Sequence, residues 1–303
     1  MFGQKRTRVR ESAASRIFDV ANYLLLGVLG IVTLLPFLYI VAGSLTTPLY
    51  YRLVGVSFDP ANWTLDSYRV LLGTGSRLIE SFKVTGFVTV VGTFLSLSTT
   101  TALAYGISKK DLPGHNFFVW FLFFQMLFGG GLIPFYLVVK SLGLINTVWA
   151  MIIPGAVSAW YVFIMVRFFE ALPPDLEDAA RMDGCSELGI FWHILLPLSK
   201  PVLATIGLFY AVGLWNQWFW ATVFITDPSL KPLQLVLRDM LSQLVPIADT
   251  ATAIEMAKEA HEMPPVEVLR MAAINITVLP IVLVYPFIQK YFVKGVMIGA
   301  IKG

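Results

Sequence analysis

Residues 17–43 read IFDVANYLLLGVLGIVTLLPFLYIVAG, an apolar run whose one charged side chain, Asp19, lies near its start. The hydrocarbon core of a bilayer needs about 20 apolar residues as helix, at about 1.5 Å rise each. This run is long enough to cross, and far longer than the ~7–15 residues of a secretory signal's apolar core. It reads as a retained anchor. Working outward, five more stretches meet the same criterion: Phe82–Ile107, Phe117–Val139, Trp149–Phe168, Val202–Ile225 and Ala272–Phe292. Composition agrees, with 57% hydrophobic and only 14% charged residues, against roughly 45–50% and 25% in ordinary globular domains. The expected fold class is therefore an all-α integral membrane protein with six transmembrane helices.

Basic residues give the orientation, because cytoplasmic segments carry an excess of Lys and Arg. Of the 22 Lys and Arg in the chain, thirteen fall on one side. They include Lys5, Arg6 and Arg8 before the first run, Lys109 and Lys110 after the second, and Lys290 and Lys294 at the end. The other nine are spread through longer segments. Both termini are thus expected in the cytoplasm, with the chain multi-pass in its membrane. The expected layout is an N-terminal arm over 1–16, a six-helix transmembrane domain over 17–292 and a tail over 293–303. External segments lie at 44–81 and 226–271, and a cytoplasmic one at 170–201. External segments of this size are uncommon without structure or a task of their own. Capping the pore mouth and meeting an external partner are compatible readings.

Several chemistries are poorly supported. The net charge of +3 is small and follows the membrane boundaries, with no basic patch for nucleic acid. Cys185 stands alone, and His115, His193 and His261 have no metal-ligand spacing. No span interior carries a charged residue, whereas ion-coupled carriers need one near the midplane. No Gly-x-x-x-x-Gly-Lys-[Ser/Thr] stretch is present to cradle ATP. Energy must come from elsewhere.

The segment between the fourth and fifth runs is too polar for lipid. Pro173 and Pro174 suit the start of a helix, and Asp175, Glu177 and Asp178 place negative charge at its positive end. Leu176, Ala179 and Ala180 share one face, and Gly184 supplies a stop. Ser186 can cap a second short helix carrying Ile190, Trp192 and Ile194, ended at Pro197. This predicts a helix–turn–helix standing off the membrane. An amphipathic loop lying on the lipid is the plain alternative, but such loops favour Lys and Arg. Here Glu170, Asp175, Glu177, Asp178, Asp183 and Glu187 outnumber Arg167, Arg181 and Lys200.

Asp178-Ala-Ala-x-x-x-Gly184, nine residues, then Ile194-x-Leu196-Pro197 resembles the EAA motif of ABC importer permeases, with Asp178 where the motif's glutamate usually sits. The six runs, the basic arm and the ending from Lys290 to Gly303 look like carbohydrate-uptake permeases of the maltose-importer type. The resemblance implies a type I ABC importer permease fold and a coupling role for Glu177, Asp178, Ala179, Ala180, Arg181, Asp183, Gly184, Ile194, Leu196 and Pro197. It implies docking on two cytoplasmic ATPase subunits, which supply ATP and Mg; this chain would hold no cofactor and catalyse nothing. A second permease and an external solute-binding protein complete the expected assembly. The glycine-rich tail would reach between the ATPases, or be a solvated end.

For the substrate, the fifth run is the most informative. Gly213-Leu-Trp-Asn-Gln-Trp-Phe-Trp220 sets aromatic rings beside two amides, a pairing suited to the C–H faces and hydroxyls of sugars. Trp215, Asn216, Gln217, Trp218 and Phe219 are candidate pathway residues, and an aromatic belt is the competing reading. The resemblance favours the pathway, since related sugar permeases carry a Trp-Asn pair here. Gln125 and Asn275, isolated polar groups in other runs, are further candidates. Thr89, Thr93, Ser96 and Thr99–Thr101 suit helix packing more than a cavity. Oligosaccharides are the expected cargo, and Arg52, Arg69, Arg77 and Arg238 would suit acidic ones such as alginate or pectin oligomers, or contacts with a binding protein. A non-sugar solute, a channel and a membrane-embedded enzyme are weaker alternatives; the last lacks any recognisable catalytic set.

Overall fold

The structure, a computed structural model, describes residues 13–73, 76–242 and 264–300. The basic arm up to residue 12, residues 243–263 of the second external segment and the last three residues of the tail lie outside the described residues. The chain forms two units, residues 1–69 with 248–275 and residues 70–247 with 276–303.

In the first unit, α1 (Ala13–Leu45) contains the opening apolar run, and its side chains from Ile17 to Tyr39 are largely exposed. Its end is pinned by polar contacts. The Thr46 hydroxyl donates to the Ala42 carbonyl at 2.8 Å and accepts from the Ser57 amide at 3.0 Å. Between these lies α2 (Pro48–Leu53), begun by a proline whose missing N–H costs nothing at a helix start. The Trp63 indole then donates to the Ser57 carbonyl at 3.0 Å. A short helix, α3 (Asp66–Leu71), leads out of the unit.

In the second unit α4 (Arg77–Ser108) is central. The Ser76 hydroxyl caps it by accepting from the Leu78 amide at 3.2 Å, and Glu80 sits in its first turn. Its buried positions include Thr85, Val88, Gly92, Ser96, Thr100 and Ala104, at three- and four-residue spacing. A small-residue face of this kind lets helices approach closely where lipid offers no hydrophobic drive between them. The other helices of this unit are α5 (His115–Leu127), α6 (Leu132–Ser141), α7 (Ala159–Glu170), α8 (Asp175–Met182), α9 (Glu187–Ile190), α10 (Leu196–Leu198), α11 (Lys200–Trp215), α12 (Phe219–Phe224) and α13 (Leu233–Ser242). The final helix, α14 (Val266–Ala300), continues through 293–300, residues assigned above to the tail. Packing on α4 comes mainly from α7 and α11. A Cβ on Gly92 would stand 2.7 Å from a Leu214 methyl, so only glycine fits the present approach of α11. Thr100 and Tyr210 hydroxyls meet at 2.7 Å across the same interface. The hydroxyl-rich second run thus serves packing in large part.

Among the described residues, three helices are long and apolar enough to cross a membrane. The remaining runs are each broken. The third divides into α5 and α6 at Phe128–Gly131, where Gly131 has φ +81°. The fourth opens with two 3-10 turns, Val148–Met151 and Ile153–Gly155, before α7, with a 49° bend between them. Continuous helix from Trp149 was expected, but Pro154 has no N–H for the ladder. The fifth stops at Trp215 and resumes at Phe219. There the Asn216 side chain donates to the Val212 carbonyl at 2.9 Å, competing with the helix's own bonding.

Candidate coupling loop and substrate pathway

The 170–201 loop folds as its residues dictate. α8 starts just after Pro174, and Asp175, Glu177 and Asp178 occupy its first turn. Gly184 takes φ +84°, a left-handed conformation that L side chains rarely adopt, and the Cys185 amide returns to the Ala180 carbonyl at 2.9 Å. The Ser186 hydroxyl accepts from the Gly189 amide at 3.2 Å, capping α9. Helix was expected to end at Pro197. Instead a π-helical stretch over Phe191–Leu195 leads into α10, with Pro197 in its first turn, where a proline is tolerated. The stretch 187–198 then meets α11 at 81°. It cannot lie along the same membrane-crossing axis.

Charge organises this loop. Arg181 donates to Glu187 at 3.0 Å, to Asp178 at 3.2 Å and to Glu177 at 3.4 Å. Glu177 also receives Lys109 from the end of α4, and both partners are partly buried. The Lys109 ammonium lies 4.8 Å from the centre of the Tyr105 ring, and the Tyr105 hydroxyl donates to Glu187 at 2.7 Å. Hydrogen bonds from Tyr105 and then Arg181 hold the Glu187 carboxyl below the usual carboxylate range. Glu187 in turn pushes the Arg181 guanidinium further up, so it stays charged. A short helix with three acids is thereby strapped to α4.

Ala180, Ile190 and Leu195 are buried beneath the loop. Ile194 and Leu196 are half-buried, and Pro197, Asp183 and Gly184 are exposed. Leu176 and Ala179 face outward, where a common face with buried Ala180 was expected. Three large apolar side chains are left uncovered: Met182 at 88%, Leu188 at 70% and Trp192 at 62% exposure. Nothing in the loop is arranged as a nucleophile or a base. What it offers is a stiff, acidic and partly greasy projection.

The candidate pathway residues do not form one group. Trp215 ends α11 with its ring edge-on to Phe82 at 5.7 Å. Its indole nitrogen and the Gln217 side-chain oxygen are buried without a hydrogen-bond partner among the described residues. Asn216 accepts from Gln234 of α13 at 3.3 Å. Trp218 and Phe219 are substantially exposed and meet edge-to-face at 5.8 Å. Gln125, by contrast, lines a largely apolar recess of about 540 Å³ with Leu103, Phe117, Phe121 and Val157. Asn275 belongs to the first unit, donating to Ser44 at 2.9 Å and Tyr68 at 3.1 Å.

Two sets of residues were not singled out by sequence. One is Tyr105 and Lys109, the α4 end of the strap; the Lys109–Lys110 pair had been used only for orientation. The other is Gln234 of α13, which lies four residues before Arg238, named above only as one of four external arginines, so that the two share a helical face. Arg238 sits 4.5 Å from the centre of the Trp218 ring and donates to Thr222 at 3.4 Å. Basic clusters opposite an acidic loop were a usable signal for the first set. No local signal placed α13 beside Trp218.

Comparison with known proteins completes the description of the site. Residues 114–298 match the profile of the family described as binding-protein-dependent transport system inner membrane component. The chain is 46% identical to Protein LplC of Bacillus subtilis (strain 168), over 97% of this chain and 98% of that one. It is 40% identical to the polygalacturonan/rhamnogalacturonan transport system permease protein YtcP of the same organism, over 95% and 99% of the two chains. A solved structure, described as a bacterial ABC transporter involved in the import of the acidic polysaccharide alginate, superposes with a TM-score of 0.85. Identity there is 32%, and the match covers 93% of this chain and 98% of the other.

Proposed function

The chain belongs to the binding-protein-dependent transport system inner membrane component family, and we propose that it forms half of an import pathway for oligosaccharides, acidic ones among them. It is a non-catalytic permease subunit of an ABC importer with the type I fold, resident in the inner membrane. Such a permease works with a second permease, ATPase subunits and a solute-binding protein. The proposal adds the detail: two cytoplasmic ATPases carrying ATP and Mg, one other permease, an external binding protein, and both termini in the cytoplasm.

One observation carries the energetic part. Met182, Leu188 and Trp192 are uncovered on a loop that is strapped to α4 by charge pairs. Large apolar groups held rigidly in water mark an interface, and a cleft on an ATPase is a partner of the right kind. In this reading Glu177–Gly184 moves with the ATPase, and the strap and the 187–198 stretch pass that motion to α4 and α11. The pathway then opens outward to accept cargo from the binding protein, and ATP hydrolysis resets it. No bond of the cargo is made or broken.

The cargo is inferred from Trp215–Phe219 together with the relatives. Exposed rings, neighbouring amides and buried polar atoms without partners suit a ligand rich in C–H faces and hydroxyls. The relatives named for polygalacturonan/rhamnogalacturonan transport and alginate import favour acidic chains.

Replacing Gly184 by proline tests the drive, because proline cannot adopt φ +84°. The complete importer in proteoliposomes should lose oligogalacturonate and alginate-oligomer uptake by about tenfold or more, a loss that takes only about 1.4 kcal/mol of misplaced coupling. The variant should still insert and still bind nucleotide through its partners. Normal uptake by Gly184→Pro would reject the loop as the drive, and a wild-type importer that moves no oligosaccharide would reject the cargo.

A further inference from the structure

We infer that Arg238, laid on Trp218, is the group that reads the carboxylate of an acidic sugar entering the pathway. The inference rests on the oligosaccharide reading above and assigns the charge selectivity to one side chain. Four external arginines were candidates from sequence. Arg69 is committed to Asp66 at 3.1 Å, and Arg52 also has an interaction within the chain. Arg77 occupies the first turn of α4 with no ring beneath it among the described contacts. Arg238 lies over an aromatic face, 4.5 Å from the Trp218 ring centre. Among the described residues no carboxylate lies within ion-pair distance of it, since the adjacent Asp239 is taken by Lys231 at 2.7 Å.

The surroundings hold this guanidinium ready. The Leu233 amide donates to Thr85 of α4 at 2.7 Å, and the Lys231–Asp239 pair ties the segment just before α13 to the helix itself. Arg238 itself reaches Thr222 on α12 at 3.4 Å, which uses one of its five N–H donors. A guanidinium held over an indole face has lost rotamer freedom before any ligand arrives, and its remaining donors suit a carboxylate's two oxygens. Four residues before it on α13, Gln234 is bonded to Asn216, so two amides stand beside the charge. Trp218 remains 42% exposed and Phe219 45% exposed. Together these are an aromatic platform, a cationic fork and two amides, the groups that a uronate residue's C–H face, carboxylate and hydroxyls require.

The test uses the complete importer in proteoliposomes with its cognate binding protein at saturation. The probes are trigalacturonate and its methyl ester, which share one skeleton and differ in charge. Arg238→Gln is expected to slow trigalacturonate uptake by at least about tenfold, as loss of a charge-assisted bond implies, with the ester unaffected. Arg238→Lys should recover part of the difference. Equal loss for both probes, or no loss for either, would overturn the inference, because Arg238 would then be structural or irrelevant. Import of acid and ester alike by the wild type would also overturn it. Failure of the wild type to move any oligosaccharide is the separate result that removes the underlying reading.

Discussion

Gly92 shows what one hydrogen atom in place of a side chain does in a lipid-embedded bundle. Leu214 of α11 occupies the space a Cβ would need, so Gly92→Val must push α11 away or force Leu214 off its rotamer. Overpacking of this kind costs typically about 1–3 kcal/mol. Gly86, six residues earlier on α4, has nothing within 4 Å of its Cβ position. Gly86→Ala should therefore be neutral, or stabilising by up to ~1 kcal/mol from helix propensity. Thermal unfolding of the purified protein in detergent separates the two; equal stability of the variants would refute this account of the α4–α11 contact. Composition and motif reading do not distinguish these glycines. Only the neighbour across the interface does.

At the scale of the element, the loop helices were legible because their determinants are local. Pro174, the three acids, Gly184 and the Ser186 cap all act within a few residues of themselves. Their attachment was not. Lys109 lies far from Glu177 in sequence, and only the folded α4 end brings it to the loop. If that pair transmits motion, Lys109→Met and Glu177→Gln should each uncouple ATP hydrolysis from uptake. Loss of about 1 kcal/mol, a modest value for a partly buried pair near the surface, corresponds to roughly a fivefold loss of correctly held loop. The double exchange Lys109→Glu with Glu177→Lys should restore part of the coupling. Uptake per ATP unchanged in both single variants would show that the strap is passive. The breaks at Pro154 and Asn216 belong to this scale too. An apolar run registers as one span, whereas the helix within it is interrupted by a missing N–H or a competing amide.

For the whole molecule, orientation is testable through the lone cysteine. Cys185 is exposed beside Gly184 on the proposed cytoplasmic loop. A membrane-impermeant maleimide should label it in inverted vesicles and not in intact cells stripped of outer barriers; labelling from outside would invert the topology. Membrane class and dependence on a separate ATPase were both readable from the chain alone. Each depends on a sum over many residues or on a short contiguous motif: apolar length against bilayer thickness, and the acidic loop with its glycine. The tertiary structure decided what no window along the chain contains. It set Lys109 against Glu177, α13 against the broken fifth span, Arg238 on Trp218, and Asn275 on Ser44 and Tyr68. Such contacts join residues tens to hundreds of positions apart, and their energies come from geometry that exists only once the helices have packed.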